Sequence, residues 1–169
     1  METLQTILTR KSVRAFEDRE VEDEKIELLM KAGMAAPTAM NTQPWEFYVL
    51  KSEESKKAIR DVMAFGKYNA GIIIIPCVKE AATVPVAHDL CYCDLGAASE
   101  NILLAAHDMG LGGVWCAVYP NKLKMKQLRK VIKAPLGHTP FCCLYIGYPS
   151  KDDNGKIKEK YDDKRVHIL

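Results

Sequence analysis

Arg10-Lys11-Ser12-Val13-Arg14 sets two guanidinium groups and a hydroxyl at alternate positions. In an extended chain the two-residue period turns Arg10, Ser12 and Arg14 to one side, with Lys11 facing away and Val13 free to enter a core. Paired arginine donors beside a hydroxyl match the oxygens of a phosphate, so this segment is a candidate phosphate site. A solvated basic turn is the plainer reading of the segment taken alone.

Two further segments carry groups suited to a ligand. In Pro37-Thr38-Ala39-Met40-Asn41-Thr42-Gln43-Pro44-Trp45 two prolines bracket a loop and reduce its freedom. Within it, Thr38, Asn41 and Gln43 offer donors and acceptors able to read the edge of a heterocycle, although the same stretch also serves as a simple helix-to-strand connection. Gly110-Leu111-Gly112-Gly113-Val114-Trp115 follows a helical pattern and precedes a strand. That order is the reverse of a dinucleotide fingerprint and argues against a Rossmann site. Either the glycines end the helix, or Gly112 and Gly113 let a flat ligand approach the backbone.

The elements that must position these segments are legible from periodicity. Leu4, Ile7 and Leu8 give a short amphipathic helix over Thr3 to Thr9. Asp23 opens a second helix with Ile26, Leu29, Met30 and Gly33, ending before Pro37. Trp45 to Leu50 reads as a strand, and Ser52-Glu53-Glu54-Ser55 starts a helix reaching about Met63. Gly71 to Val78, with four consecutive isoleucines, predicts a strand buried on both faces. A long helix follows from about Ala87 to Met109. It is apolar over more than one stripe, so it must lie centrally or against a second subunit. Val114 to Tyr119 and Phe141 to Gly147 complete the strands, with a helix starting near Pro120 between them. From Ser150 the chain is polar and predicts an extended surface arm. Strands mixed with helices point to an α/β or α+β layered fold in one domain over 1–169.

Composition narrows the function classes. The chain has 169 residues, 48% of them hydrophobic and 27% charged, which suits one globular domain with a substantial core. Its net charge of +2 gives no sign of nucleic-acid binding. The basic cluster Lys122, Lys124, Lys126, Arg129, Lys130 and Lys133 reads first as a solvated helix face and second as an attractor for an anionic cofactor or partner. No apolar run is long enough to span a membrane, and Met1 to Gln5 does not resemble a secretory leader, so a cytoplasmic location is expected. The six cysteines are then expected to be reduced. His88, Cys91 and Cys93 fall in a helix where Cys93 points away from the other two, so no metal site is expected.

Taken in order, RKSVRAF, APTAMNTQPWEF, GLGGVW and YIGYP resemble the FMN-dependent nitroreductase family over nearly the whole chain. The resemblance implies an α+β fold whose central sheet of about four to five strands is flanked by helices, in an intertwined homodimer with two FMN sites at the subunit interface. It implies that Arg10, Lys11, Ser12 and Arg14 of one subunit meet the phosphate and pyrimidine side of the flavin. Pro37, Thr38, Ala39, Met40, Asn41 and Gln43 would come from the other subunit, with Gly112 and Gly113 near the flavin edge that includes N5. Lys164 and Arg165, on an arm spanning about 150–169, would close over the phosphate. The implied chemistry is ping-pong transfer from NAD(P)H through FMN to a small acceptor such as a nitroaromatic or quinone, with Arg14 stabilising reduced FMN and no other catalytic residue. Only Lys79 to His88, including Pro85, fills the place where longer relatives insert helices, so an open pocket is expected. Relatives with dehalogenase or flavin-modifying activity, a flavin store or sensor without turnover, and a basic interaction module remain alternative readings.

Overall fold

The computed structural model describes residues 2–63, 65–84 and 88–169. Helix α1 (Thr3–Thr9) and helix α2 (Asp23–Met34) precede strand β1 (Trp45–Leu50). Then come α3 (Glu53–Val62), β2 (Ile72–Lys79), α4 (Leu90–Asp108), β3 (Gly112–Ala117), α5 (Lys122–Val131), β4 (His138–Pro140) and β5 (Cys142–Gly147). The sheet runs β1-β2-β5-β3, with β4 paired to β2 beyond the β5 contact, and every pairing between strands is antiparallel.

The isoleucine run explains the two-layered core. Ile73 and Ile75 face a cluster built with Ile59 and Met63 near α3 and Leu128 of α5. Ile72 and Ile74 face the opposite cluster, with Leu29 of α2 and Ile102, Leu103 and Ala106 of α4. All four isoleucines are essentially inaccessible, as a central strand covered by helices on both faces requires.

Helix α4 is the spine of the molecule. Leu95, Ala98, Ile102 and Ala106 are fully buried, and Leu104 and Ala105 form a shallow cleft with Thr3, Thr6 and Ile7 of α1. Its apolar girth thus serves the sheet on one side and α1 on another. Beside that cleft Leu4, Ile7 and Leu8 of α1 stay half or more exposed. The expected start of α4 at Ala87 lies outside the described residues, as does Pro85. The helix ends where Gly110 takes a left-handed φ of +76° and Leu111 N–H reaches back to Ala106 O at 2.8 Å.

Two expectations need correction, and one strand is new. Strand β3 begins at Gly112 and stops at Ala117, not Val114 to Tyr119, because Gly112 and Gly113 pair with Gly147 and Ile146 of β5 instead of ending the helix. Strand β4 escapes the sequence pattern, being three residues long and ending in a proline. Lys11 does not face away from the cavity beside Arg10 and Ser12, because the C-terminal arm folds over it there. Most of the arm is exposed, and it lacks regular structure apart from a short turn over Asp163–Arg165. Among the described residues no helix is long and apolar enough to cross a membrane.

Candidate functional site

The Arg10–Arg14 segment runs along the outer edge of β3. Ser12 bridges Gly113 in parallel fashion, and Val13 N–H donates to Gly113 O at 3.0 Å. Val13 is buried beneath it, pressed on Gly112 so closely that a Cβ there would lie 2.6 Å from Val13 Cβ. A Cβ on Gly113 would meet Leu103 of α4 at 2.7 Å. The two glycines therefore already have a packing reason: they let the basic segment and α4 close on β3.

With Val13 inside, Arg10, Lys11, Ser12 and Arg14 line a cavity of about 650 Å³ whose other wall is the arm from Asn154 to Tyr161. Lys156, Lys158 and Lys160 join the lining, against a single acid, Glu159. The donor set is that of an anion site. Its parts are held from behind. Glu100 of α4 accepts from Arg10 Nε at 2.9 Å. Asp153 accepts from Lys11 Nζ at 2.9 Å and from Arg14 N–H at 3.1 Å, and Gly155 O takes a second Lys11 bond at 2.7 Å. Burial raises the Asp153 carboxyl, but Lys11 and the Arg14 N–H outweigh it and hold the group below the usual aspartate range. Lys11 is thus committed to the arm, whereas Arg14 stays exposed.

Arg14 also lines a second cavity of about 290 Å³, walled by Phe65, Tyr68, Trp115, Cys116 and Lys124. Burial pushes the Cys116 thiol up, while Arg14 and Lys124 pull it back, so both cations act on the same spot. An aromatic-walled space with two cations and no acid suits a flat, electron-rich ring. Two cavities meeting at one arginine suit a molecule with a phosphate at one end and a planar ring at the other.

Residues 37–43 line neither cavity of this chain. Their polar groups bond one another: Thr38 Oγ1 accepts from Gln43 N–H at 3.2 Å, and Asn41 Oδ1 accepts from Gln43 Nε2 at 3.1 Å. Met40, Asn41 and Gln43 adopt left-handed φ of 53°, 54° and 48°. Met40 is 80% exposed, and Ala39 N–H is tied to buried Asp94 at 3.1 Å. Lys164 and Arg165 also stand apart, since Asp162 caps their turn and binds Arg165 Nε at 3.1 Å. Exposed His88 and Cys93 do not join buried Cys91, and among the described residues no group of three side chains could hold a metal.

Sequence reading missed several of these contributors. Lys156, Lys158 and Lys160 carried a signal as alternating lysines, Trp115 sat in a segment noted for its glycines, and Lys124 belonged to the basic cluster whose second reading was an attractor for an anionic cofactor or partner. Asp94, Glu100 and Asp153 carried none, because a supporting carboxylate is recognisable only from what it touches.

An antiparallel α+β sheet with a basic segment laid along its edge and a two-part anion-and-ring site defines a class of ligand-binding domain. Its sequence matches the profile of the Nitroreductase family over residues 7–67 and 64–148, and the chain belongs to that family. It is 37% identical to a protein of Archaeoglobus fulgidus provisionally named NADH dehydrogenase/NAD(P)H nitroreductase, over 98% of this chain and 97% of that one. It resembles the structure of an FMN-dependent nitroreductase from Clostridium difficile, with a TM-score of 0.87, 27% identity and 98% of both chains covered. A structure from Desulfovibrio desulfuricans, provisionally described as a nitroreductase in complex with FMN, aligns with a TM-score of 0.82 and 26% identity over 100% of this chain and 97% of that one.

Proposed function

We propose that this chain is an FMN-dependent NAD(P)H oxidoreductase that reduces small acceptors such as nitroaromatics or quinones, working as a cytoplasmic homodimer. The observation that carries the reading is Arg14, shared between a basic cavity and an aromatic one. Bound FMN would supply the redox chemistry, carrying reducing equivalents from the nicotinamide to the acceptor, and the protein need only bind and orient it.

The chain's own residues supply binding and charge. Arg10, Ser12 and the arm lysines hold the phosphate. Phe65, Tyr68 and Trp115 wall the ring, while Gly112 and Gly113, which line neither cavity, let the basic segment seat on β3. Arg14 is a permanent cation and stabilises negative charge at the N1 and C2 oxygen end of the ring on reduction. A second copy brings its Pro37–Gln43 loop to the ring's exposed side, with Thr38, Asn41 and Gln43 exchanging their mutual hydrogen bonds for ligand contacts. The exposed leucines of α1 are buried in the same assembly.

The purified protein is expected to be yellow, to release FMN on denaturation, and to bleach when titrated anaerobically with NADH or NADPH. Bleaching by neither donor would leave a flavin-binding protein without turnover. Arg14→Ala should weaken FMN binding and lower its reduction potential. Retained FMN at an unchanged potential would remove Arg14 from the role assigned to it.

A further inference from the structure

Helix α5 is electrostatically out of balance. Its first turn holds Lys122 and Lys124 and no acid, against the helix dipole, which favours negative charge at that end. Lys122, Lys126 and Arg129, at i, i+4 and i+7, share one face, where like charges repel. None of the three has an ion pair among the described residues, a state they share with Arg14 and the arm lysines of the basic cavity.

These cations converge on a groove of about 240 Å³ shared with Met125 and with His138 and Thr139 of β4. The Tyr48 hydroxyl occupies His138 Nδ1 at 2.8 Å, leaving Nε2 as the ring's other polar atom. Thr139 donates to Glu80 Oε1 at 2.8 Å, but Glu80 does not line the groove. A bound anion would relieve both the repulsion and the unfavourable helix end.

The position of the groove says which anion. Lys124 projects from the same helix into the ring cavity beside Arg14. Groove and ring site are thus separated by one helix, about 10–12 Å across. A dinucleotide with its nicotinamide at the ring can pass over the exposed Leu123 face and set its far phosphates in the groove. We infer that the groove formed by Lys122, Lys126, Arg129 and His138 seats the adenylate phosphates of the nicotinamide donor, and that its charge favours NADPH over NADH. This inference rests on the donor chemistry proposed above.

The test uses the FMN-loaded protein and the triple variant Lys122→Gln/Lys126→Gln/Arg129→Gln, with three donors: NADPH, NADH and reduced nicotinamide mononucleotide, which lacks the adenylate half. In the variant, KM for NADPH should rise about tenfold or more, with a smaller rise for NADH and none for the mononucleotide, at unchanged kcat. An unchanged KM for NADPH, or equal rises for all three donors, overturns the inference. Failure of every donor to reduce the flavin defeats the proposed donor chemistry instead. The groove is then judged by calorimetric titration with the adenosine bisphosphate half of NADPH. Binding that is lost in the triple variant supports the groove, and absent or equal binding in the two proteins overturns it. Inorganic phosphate in a parallel titration separates capture of any phosphate from recognition of the adenylate.

Discussion

The Arg10–Arg14 segment and the Pro37–Gln43 loop are both anchored on α4, but in opposite ways. Glu100 holds Arg10, and Asp94, six residues or roughly 9 Å earlier along the helix, holds Ala39 N–H. The basic segment has a strand edge beneath it, a buried valine within it and an arm strapped over it. Among the described residues the loop has no strand partner, and it keeps three non-glycine residues in left-handed backbone, at a cost on the order of 1 kcal/mol each. A site that concentrates positive charge needs rigid backing, since repulsion would otherwise spread its side chains. A loop proposed to meet its ligand on a second copy needs only to keep its shape until contact.

The comparison breaks most completely at Gly112. In Gly112→Ala the new Cβ falls within 2.6 Å of Val13 Cβ, an atom that no rotamer change can move. The segment must lift from β3, at an expected cost of about 3 kcal/mol measured by chemical denaturation. FMN affinity should fall with it, while the Pro37–Gln43 loop keeps its hydrogen-exchange pattern. A variant of wild-type stability that binds FMN normally would show that the segment is not seated through Val13.

Asp153 tests the strap. Its side chain is 4% exposed and satisfies both Lys11 and the Arg14 amide, so Asp153→Ala should cost about 2 kcal/mol and free the arm to proteolysis ahead of the domain. Because the folded state lowers this group's pKa, its contribution is full above the ordinary aspartate value of about 4 and is lost as pH falls below it. Wild type and variant should therefore converge in stability on acidification through that range. A constant gap down to low pH would mean that Asp153 acts through packing and not through charge.

Much of this contrast was legible in the sequence, and its limits are physical. The alternation in Arg10–Arg14 predicted the buried Val13 and the shared side of Arg10, Ser12 and Arg14, because period-two patterning survives into structure whenever one face is covered. Lys11 escaped, since its partner Asp153 lies 142 residues away on a stretch without pattern. The prolines marked the ends of the 37–44 loop, but not its left-handed residues, for which methionine and glutamine give no local cue. The glycines of β3 looked like a helix end or a ligand approach because their true neighbours, Val13 and Leu103, come from distant parts of the chain.

The finest test of the contrast is Asp94→Asn. The amide keeps an oxygen for Ala39 N–H but removes the charge, so only the difference between a charged and a neutral acceptor is lost, about 1 kcal/mol. Global stability should barely change, because the loop opens locally without unfolding the sheet. Hydrogen exchange at Ala39 should instead quicken several-fold, and FMN affinity should weaken if the loop must stay strained to meet the ring. Arg10 and Lys11, held by Glu100 and Asp153, should be untouched. Equal loosening of both segments would mean that α4 transmits the loss between its two anchors, and the separation drawn between a backed site and a poised loop would fail.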